Sequence, residues 1–170
     1  MFRYRAWNVN GPGEYSAVSY LVAATTPARP PAVKYGSSSA SSVTLLFSPS
    51  SDDGGKIITS MELQKSPLLV TSWTAVASYL GASMSHTLTT STDGLVAYSK
   101  YRFRIRAVND YGASSYSPEL VASVAPLPGK FGLVTKDQSL SSSASIMVRW
   151  VDPGSEVEPI LGYRLRMTDD

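Results

Sequence analysis

The sequence predicts an all-β protein, a tandem array of antiparallel β-sandwiches, and three observations lead there. The chain repeats itself at a spacing of about one hundred residues, a common domain length. Apolar residues alternate with polar ones over short runs rich in Val, Ile, Tyr and Thr, the period of half-buried strands. Clusters of Gly, Pro, Asp and Ser break those runs at sandwich-like spacings, with no helix of useful length between them.

The repeat sets the organisation. Phe2-Arg3-Tyr4-Arg5-Ala6-Trp7-Asn8 is echoed by Phe103-Arg104-Ile105-Arg106-Ala107-Val108-Asn109, and Gly11/Gly112, Tyr15/Tyr116 and Ser16/Ser117 keep the same spacing of 101 residues. Ser42-Val43-Thr44-Leu45-Leu46-Phe47 corresponds to Ser145-Ile146-Met147-Val148-Arg149-Trp150 at a spacing of 103. With sandwich strands lettered A, B, C, C′, E, F and G, the chain reads as strands F–G of a first unit (1–25), a complete unit (26–125) and strands A–C of a third (126–170). Both junctions, Thr26-Pro27-Ala28-Arg29-Pro30-Pro31 and Pro126-Leu127-Pro128-Gly129, are rich in proline, which restricts φ and predicts short, stiff connections. The serine-rich stretches Ser37–Ser42 and Ser139–Ser145 recur at the same phase before a strand, so they read as strand entries rather than spacers.

In the complete unit strand A is expected near Ala32–Tyr35, and strand B at Val43–Phe47, where Val43, Leu45 and Phe47 alternate inward. Strand C follows at Ile57–Lys65 with Ile58 and Leu63 in the core, C′ includes Trp73–Ala77 with Trp73 inward, and E runs Met84–Leu88 with Leu88 inward. Strand F, Tyr101–Val108, places Tyr101, Phe103, Ile105 and Ala107 on one face and Arg102, Arg104 and Arg106 on the other. Asn109-Asp110-Tyr111-Gly112 tolerates positive φ and turns the chain into strand G, Tyr116–Val124, while Leu95 completes the expected core.

At these residues the sequence resembles the fibronectin type III family, which implies an immunoglobulin-like β-sandwich. The most specific piece is Leu95-x-x-x-Ser99-x-Tyr101-x-Phe103-x-Ile105-x-Ala107-x-Asn109-x-x-Gly112, similar to that family's E–F corner, strand F and F–G turn. Trp150, Asp152-Pro153-Gly154 and Ile160-x-x-Tyr163-x-Leu165 are similar to its strand B tryptophan, B–C loop and strand C, and Asp52-Asp53-Gly54-Gly55 matches that loop in the complete unit. Two positions depart: Phe47 stands in the tryptophan position, and Met61 where the third unit has Tyr163. The resemblance implies adhesion, surface or scaffold roles with protein partners. It points to the cell surface or extracellular space and leaves an intracellular scaffold open.

Composition excludes several kinds of chemistry. Fifteen Lys and Arg against thirteen Asp and Glu give a net charge of +2, so nothing in the bulk charge favours nucleic acid or an anionic membrane. With no cysteine and one histidine, thiolate metal sites, disulfides and most zinc or triad arrangements drop out, and no cofactor is expected. No apolar run approaches the roughly 20 residues of a membrane span. Arg102, Arg104 and Arg106, with Arg3 and Arg5, form a candidate binding stripe, but Glu62 and Gln64 on strand C are expected to answer them. Asp52 and Asp53, and Asp152, Glu156 and Glu158, cluster in B–C loops without calcium-ligand spacing, which points to turn chemistry. His86 lies in a strand with no partner for catalysis. The reading is a non-enzymatic structural and interaction array within a longer repeat protein. Its alternative is a spacer or carbohydrate-proximal module appended to an enzyme. The partial end units should expose Phe2 and Tyr4 at one end and Trp150 and Tyr163 at the other, and so promote self-association.

Overall fold

The computed structural model describes residues 1–154 and 158–167. Strands β1 (Trp7–Asn8) and β2 (Gly11–Pro12) form a hairpin whose arms close again where Phe2 bridges Ser19. Eight strands then follow: β3 (Lys34–Ser38), β4 (Ser42–Leu46), β5 (Ser60–Pro67), β6 (Thr74–Ala75), β7 (Ser85–Thr89), β8 (Lys100–Asn109), β9 (Gly112–Ala113) and β10 (Leu120–Ser123). They make a sandwich with β3-β4-β7 in one sheet and β10-β8-β5-β6 in the other, β9 pairing with β8. Every pairing is antiparallel, and in the lettering above the two sheets are A-B-E and G-F-C-C′. Beyond the sandwich, β11 (Thr135–Lys136) pairs with β12 (Val148–Arg149).

The core lies between the two inner faces. Val43, Leu45, Phe47, Leu63, Leu88, Leu95, Tyr101, Phe103, Ile105 and Ala107 are buried as the alternation predicts, and Phe103 is wholly enclosed. Val33, Met61, Val76, Tyr79, Ala122 and Val124 join them, while Ile58 is only half-buried against the cluster. Tyr79 packs edge-on to Phe47 with ring centroids 5.1 Å apart. It thereby occupies volume that a larger side chain in place of Phe47 would take, and burial raises its phenol pKa.

Several boundaries differ from expectation for identifiable reasons. Strand A starts later, at Lys34, because Pro30 and Pro31 have no N–H to give a ladder, and it carries a bulge between Tyr35 and Ser37. Strand C begins at Ser60 instead of Ile57, since Gly54 and Gly55 take positive φ and carry the chain outward, leaving Ile57 exposed. Strand E is shifted by one residue, so Met84 only lends its carbonyl to the Phe47 N–H at 2.8 Å. C′ shortens to Thr74–Ala75; with Val76 buried, period two turns Trp73 to the outer face, so Trp73 is not a core residue.

The expected strand G, Tyr116–Val124, is shortened to β10, and β9 pairs separately next to the expected turn. Pro118 cannot donate to the ladder, and across the gap two serine hydroxyls replace backbone carbonyls. Ser114 Oγ accepts from the Ala107 N–H and Ser117 Oγ from the Ile105 N–H, each at 3.1 Å. A single helical turn, α1 (Thr90–Asp93), follows β7, capped by the Thr89 hydroxyl and closed by Gly94 in the left-handed region. β11 and β12 lie at the positions expected for strands A and B of a third unit, but residues 160–165, expected as its strand C, carry no strand pairing.

The end segments reproduce the complete unit in detail. In the N-terminal hairpin the Tyr4 N–H donates to Ser16 Oγ at 3.1 Å, the Ser16 N–H to the Tyr4 carbonyl at 2.8 Å and the Gly13 N–H to the Ala6 carbonyl at 2.9 Å. The counterparts 101 residues on are Ile105 to Ser117 Oγ at 3.1 Å, Ser117 to Ile105 at 2.7 Å and Ser114 to Ala107 at 2.8 Å. The serine turns agree likewise: the Ser39 N–H meets the Ser42 carbonyl at 2.9 Å, and the Ser142 N–H meets the Ser145 carbonyl at 2.8 Å.

At the E–F corner the Val96 N–H donates to Tyr101 Oη at 2.9 Å. Tyr101→Phe removes that acceptor alone and is expected to cost about 1 kcal/mol. Phe103→Ala leaves a cavity in the fully buried centre and should cost about 3–5 kcal/mol. Urea unfolding of residues 26–125, expected to be a single cooperative transition, checks both values; the reverse order would contradict the facing of β8.

Candidate interaction surfaces

The outer face of the β8 sheet carries the arginine stripe. The register pairs Glu62 with Arg106 and Gln64 with Arg104, so the side chains meet directly across the ladder. Arg106 Nη2 lies 2.6 Å from Glu62 Oε2, and Arg104 donates from Nε and Nη2 to Gln64 Oε1 at 3.0 and 2.7 Å. Arg102 reaches Glu119 at 3.3 Å and also donates to Ser66 Oγ and the Val70 carbonyl. Two aromatic rings interleave with the guanidinium groups. Arg104 lies 3.9 Å from the Trp73 ring centre and 4.0 Å from that of Tyr116, with Arg102 over Trp73 at 5.0 Å and Arg106 over Tyr116 at 4.8 Å. Each such contact contributes about 0.5–1 kcal/mol at an exposed site. The stripe therefore satisfies most of its own charge and stiffens the sheet. In the first unit Arg3 and Arg5 stack on Tyr15 at 4.0 and 4.7 Å, the same pair of contacts.

A second surface is the end of the sandwich where the linker enters. The Thr25 N–H donates to the Gly54 carbonyl at 2.8 Å and the Ala28 N–H to the Asp52 carbonyl at 2.9 Å. From the F–G turn, Asn109 Nδ2 donates to the carbonyls of Thr25 and Asp53, both at 2.8 Å. Gly54 has φ +74°, and a Cβ there would lie 2.3 Å from the Thr25 carbonyl oxygen, so only glycine allows the linker so close. The loop acids serve this geometry: Asp52 and Asp53 accept the N–H groups of Gly54 and Gly55 at 2.9 and 2.8 Å, as Asp152 accepts that of Gly154 at 2.8 Å.

At the opposite end Glu158 binds Lys100 at 2.9 Å and the Ser123 hydroxyl, tying the C-terminal segment to the sandwich. The Ser123 hydrogen bond, then Lys100, holds the Glu158 carboxyl below the usual carboxylate range. Glu156 lies outside the described residues. Among those described, no group of three or more His, Cys, Asp or Glu side chains gathers as a metal site, and no helix is long and apolar enough to cross a membrane. His86 Nε2 meets Ser78 Oγ at 2.8 Å, and Ser78 in turn donates to Asp93. With the carboxylate on the serine rather than the imidazole, the order is wrong for nucleophile activation. The three side chains instead tether the loop after β6 to α1.

Leu95, Tyr101, Phe103, Ile105 and Phe47 act as structural residues in the core. Trp150 and Tyr163 stack edge-on at 5.8 Å, with Phe131 5.6 Å from Tyr163, but Tyr163 stays largely exposed. Its hydroxyl donates to Asp152 at 2.9 Å, and that bond raises the phenol pKa. Sequence reasoning missed the roles of three residues in these surfaces: Trp73 and Tyr116 as stacking partners and Asn109 as the clamp on Thr25. The repeats Tyr15/Tyr116 and Asn8/Asn109 were the available signal for two of them.

Residues 28–123 match the family model described as Fibronectin type III domain. Among solved structures, domains A168-A170 from titin are similar at 26% identity and a TM-score of 0.54, over 60% of this chain and 33% of that one. A structure of titin kinase and its flanking domains matches at 28% identity and a TM-score of 0.50, over 56% of this chain and 16% of that one. A fourth FNIII domain from human shares the fold at 22% identity and a TM-score of 0.54, over 68% of this chain and 92% of that one. The chain thus spans a third or less of either titin structure.

Gly54→Ala should unseat the linker and destabilise the sandwich by about 1–3 kcal/mol, through the strained φ and the contact with Thr25. Gly94→Ala, at φ +61° with open space around it, carries backbone strain alone and serves as the control. Limited proteolysis checks this: cleavage within residues 20–28 should accelerate in the first variant only. The lowered Glu158 pKa also sets a pH dependence. Its contact is complete above the ordinary carboxylate range and is lost as pH falls through the lowered value. Carboxyl NMR should show the Glu158 pKa rising in Ser123→Ala.

Proposed function

Because the chain belongs to the fibronectin type III family, we propose that it is a non-enzymatic structural and protein-interaction stretch, in which tandem sandwiches are held at set spacing by docked linkers. Domains of this family are generally non-catalytic modules. The observation that carries the reading is the linker clamp: Asn109, Asp52 and Gly54 hold Thr25 and Ala28, so the first segment meets the complete sandwich through a fixed strap. The reproduction of the β8–β9 hairpin bonding 101 residues upstream supports a tandem arrangement with boundaries at 1–25, 26–125 and 126–170. Self-association belongs to the same proposal, since Phe2 and Tyr4 in the first segment and Leu165 in the third present apolar surface.

A second reading, a spacer appended to an enzyme, is favoured by one observation: a similar structure is that of titin kinase and its flanking domains. The complete polypeptide would separate the two readings by the presence or absence of a catalytic domain.

The clamp makes the linker part of the folded unit. Residues 20–125 should therefore be more stable than residues 29–125 by about 1–3 kcal/mol, the range of a few net hydrogen bonds. Thermal melting of the two fragments measures this; equal stability would mean a free linker and no fixed spacing.

A further inference from the structure

The turn that joins β1 to β2 holds Asn10 followed by Gly11, the one asparagine-glycine pair in the sequence. The other asparagines, Asn8 and Asn109, precede Val9 and Asp110. Asn10 is exposed and its backbone N–H donates to Asn8 Oδ1 at 2.8 Å, while among the described residues its side-chain amide has no hydrogen-bond partner. Gly11 has φ +123°, and nothing lies within 4 Å of the place a Cβ would take. The exposure belongs to the turn itself and not to the bare inner face of the first segment. Tyr111, at the same place in the β8–β9 turn of the complete sandwich, is 49% exposed, and its N–H donates to Asn109 Oδ1 at the same 2.8 Å. Two turns thus share one geometry, and only the first carries an amide side chain beside a glycine.

We propose that Asn10 is a site of spontaneous deamidation, a covalent modification confined to the first of the two matching turns. The Gly11 backbone nitrogen attacks Asn10 Cγ, and the new C–N bond closes a succinimide ring. The side-chain NH2 leaves as ammonia, carrying the proton that the Gly11 N–H gives up. Water then adds to one of the two ring carbonyls. Attack at Cγ breaks the new bond and leaves aspartate; attack at the Asn10 backbone carbonyl breaks the original peptide bond and leaves isoaspartate, with the main chain running through Cγ. Nothing is oxidised or reduced, and water is the only co-reactant. A side chain on the following residue would crowd the attacking nitrogen, so a glycine in open space is what singles out Asn10. Isoaspartate adds a methylene to a two-residue connection whose length fixes Asn8 opposite Gly11 and Trp7 opposite Pro12. Either product lowers the net charge of +2 by one. The change in charge and turn length falls beside Asn8, whose counterpart Asn109 holds the linker at Thr25.

Peptide mapping by mass spectrometry of the 1–170 chain, held in mildly alkaline buffer, tests this, with an isoaspartate methyltransferase detecting the rearranged product. Asn10 should gain the mass of an amide-to-acid exchange at least about tenfold faster than Asn8 or Asn109. Isoaspartate should be among the products, and the rate should rise with pH because the attacking nitrogen must lose its proton. Gly11→Ala should slow the reaction. That variant also strains a positive φ, so Tyr111→Asn supplies an independent check: it sets an amide side chain beside Gly112 in the complete sandwich and should create a second reactive position. Equal rates at the three asparagines, aspartate without isoaspartate, a rate unchanged by Gly11→Ala, or no reaction at residue 111 in Tyr111→Asn would each overturn the proposal.

Discussion

Strand β8 is paired on both edges and sided on both faces, and the rest of the molecule is arranged around that requirement. Eight residues of β5 lie against it on one edge, and β9 and β10 share the other. Its inward side chains, from Tyr101 to Ala107, form the middle of the core and dictate what β4 and β7 must present from the opposite sheet. Its outward arginines cannot be buried without partners, so β5 supplies Glu62 and Gln64, while the residue before β6 and the segment between β9 and β10 supply Trp73 and Tyr116. Even its ends are committed. Tyr101 fixes the corner that enters the strand, and Asn109 fixes the linker beside its exit.

What could be read in the sequence follows from how local the cause is. The facing of β8 was legible because six consecutive alternations leave only one phase, and the core positions of β4 followed in the same way. Trp73 was misplaced because C′ is a two-residue edge strand, too short for its own alternation to set a phase; the phase comes from Gln64 and Lys65 across the ladder. The shortening of strand G has a local cause in Pro118, but the use of Ser114 and Ser117 as surrogate carbonyls needs the neighbouring strand to be in place. Gly54 was legible as a turn residue. That the turn also receives Thr25 depends on a contact between segments distant in sequence, which no single-strand pattern encodes.

The end segments separate local from collective order. The hairpin at residues 2–19 and the serine turn at 142–145 keep the bonding of the complete unit although their inner faces, with Phe2, Tyr4 and Ile146, remain exposed. The segment expected as strand C of the third unit takes no pairing among the described residues. In the complete unit the equivalent strand is held by β8 on one side and β6 on the other.

The strap from Ala23 to Ala28 also gives the chain a mechanical order of events. Tension applied from the N-terminal side loads the bonds at Thr25 and Ala28 before β3, the first strand of the sandwich. The strap is held by a few hydrogen bonds, whereas β5 and β8 are paired over eight residues. Release of the strap would pay out slack at up to about 3.5 Å per residue while leaving the core untouched. The junction would then act as a shock absorber in series with a stiff element, re-forming when the load falls because Gly54 and Asn109 stay in position on the folded unit.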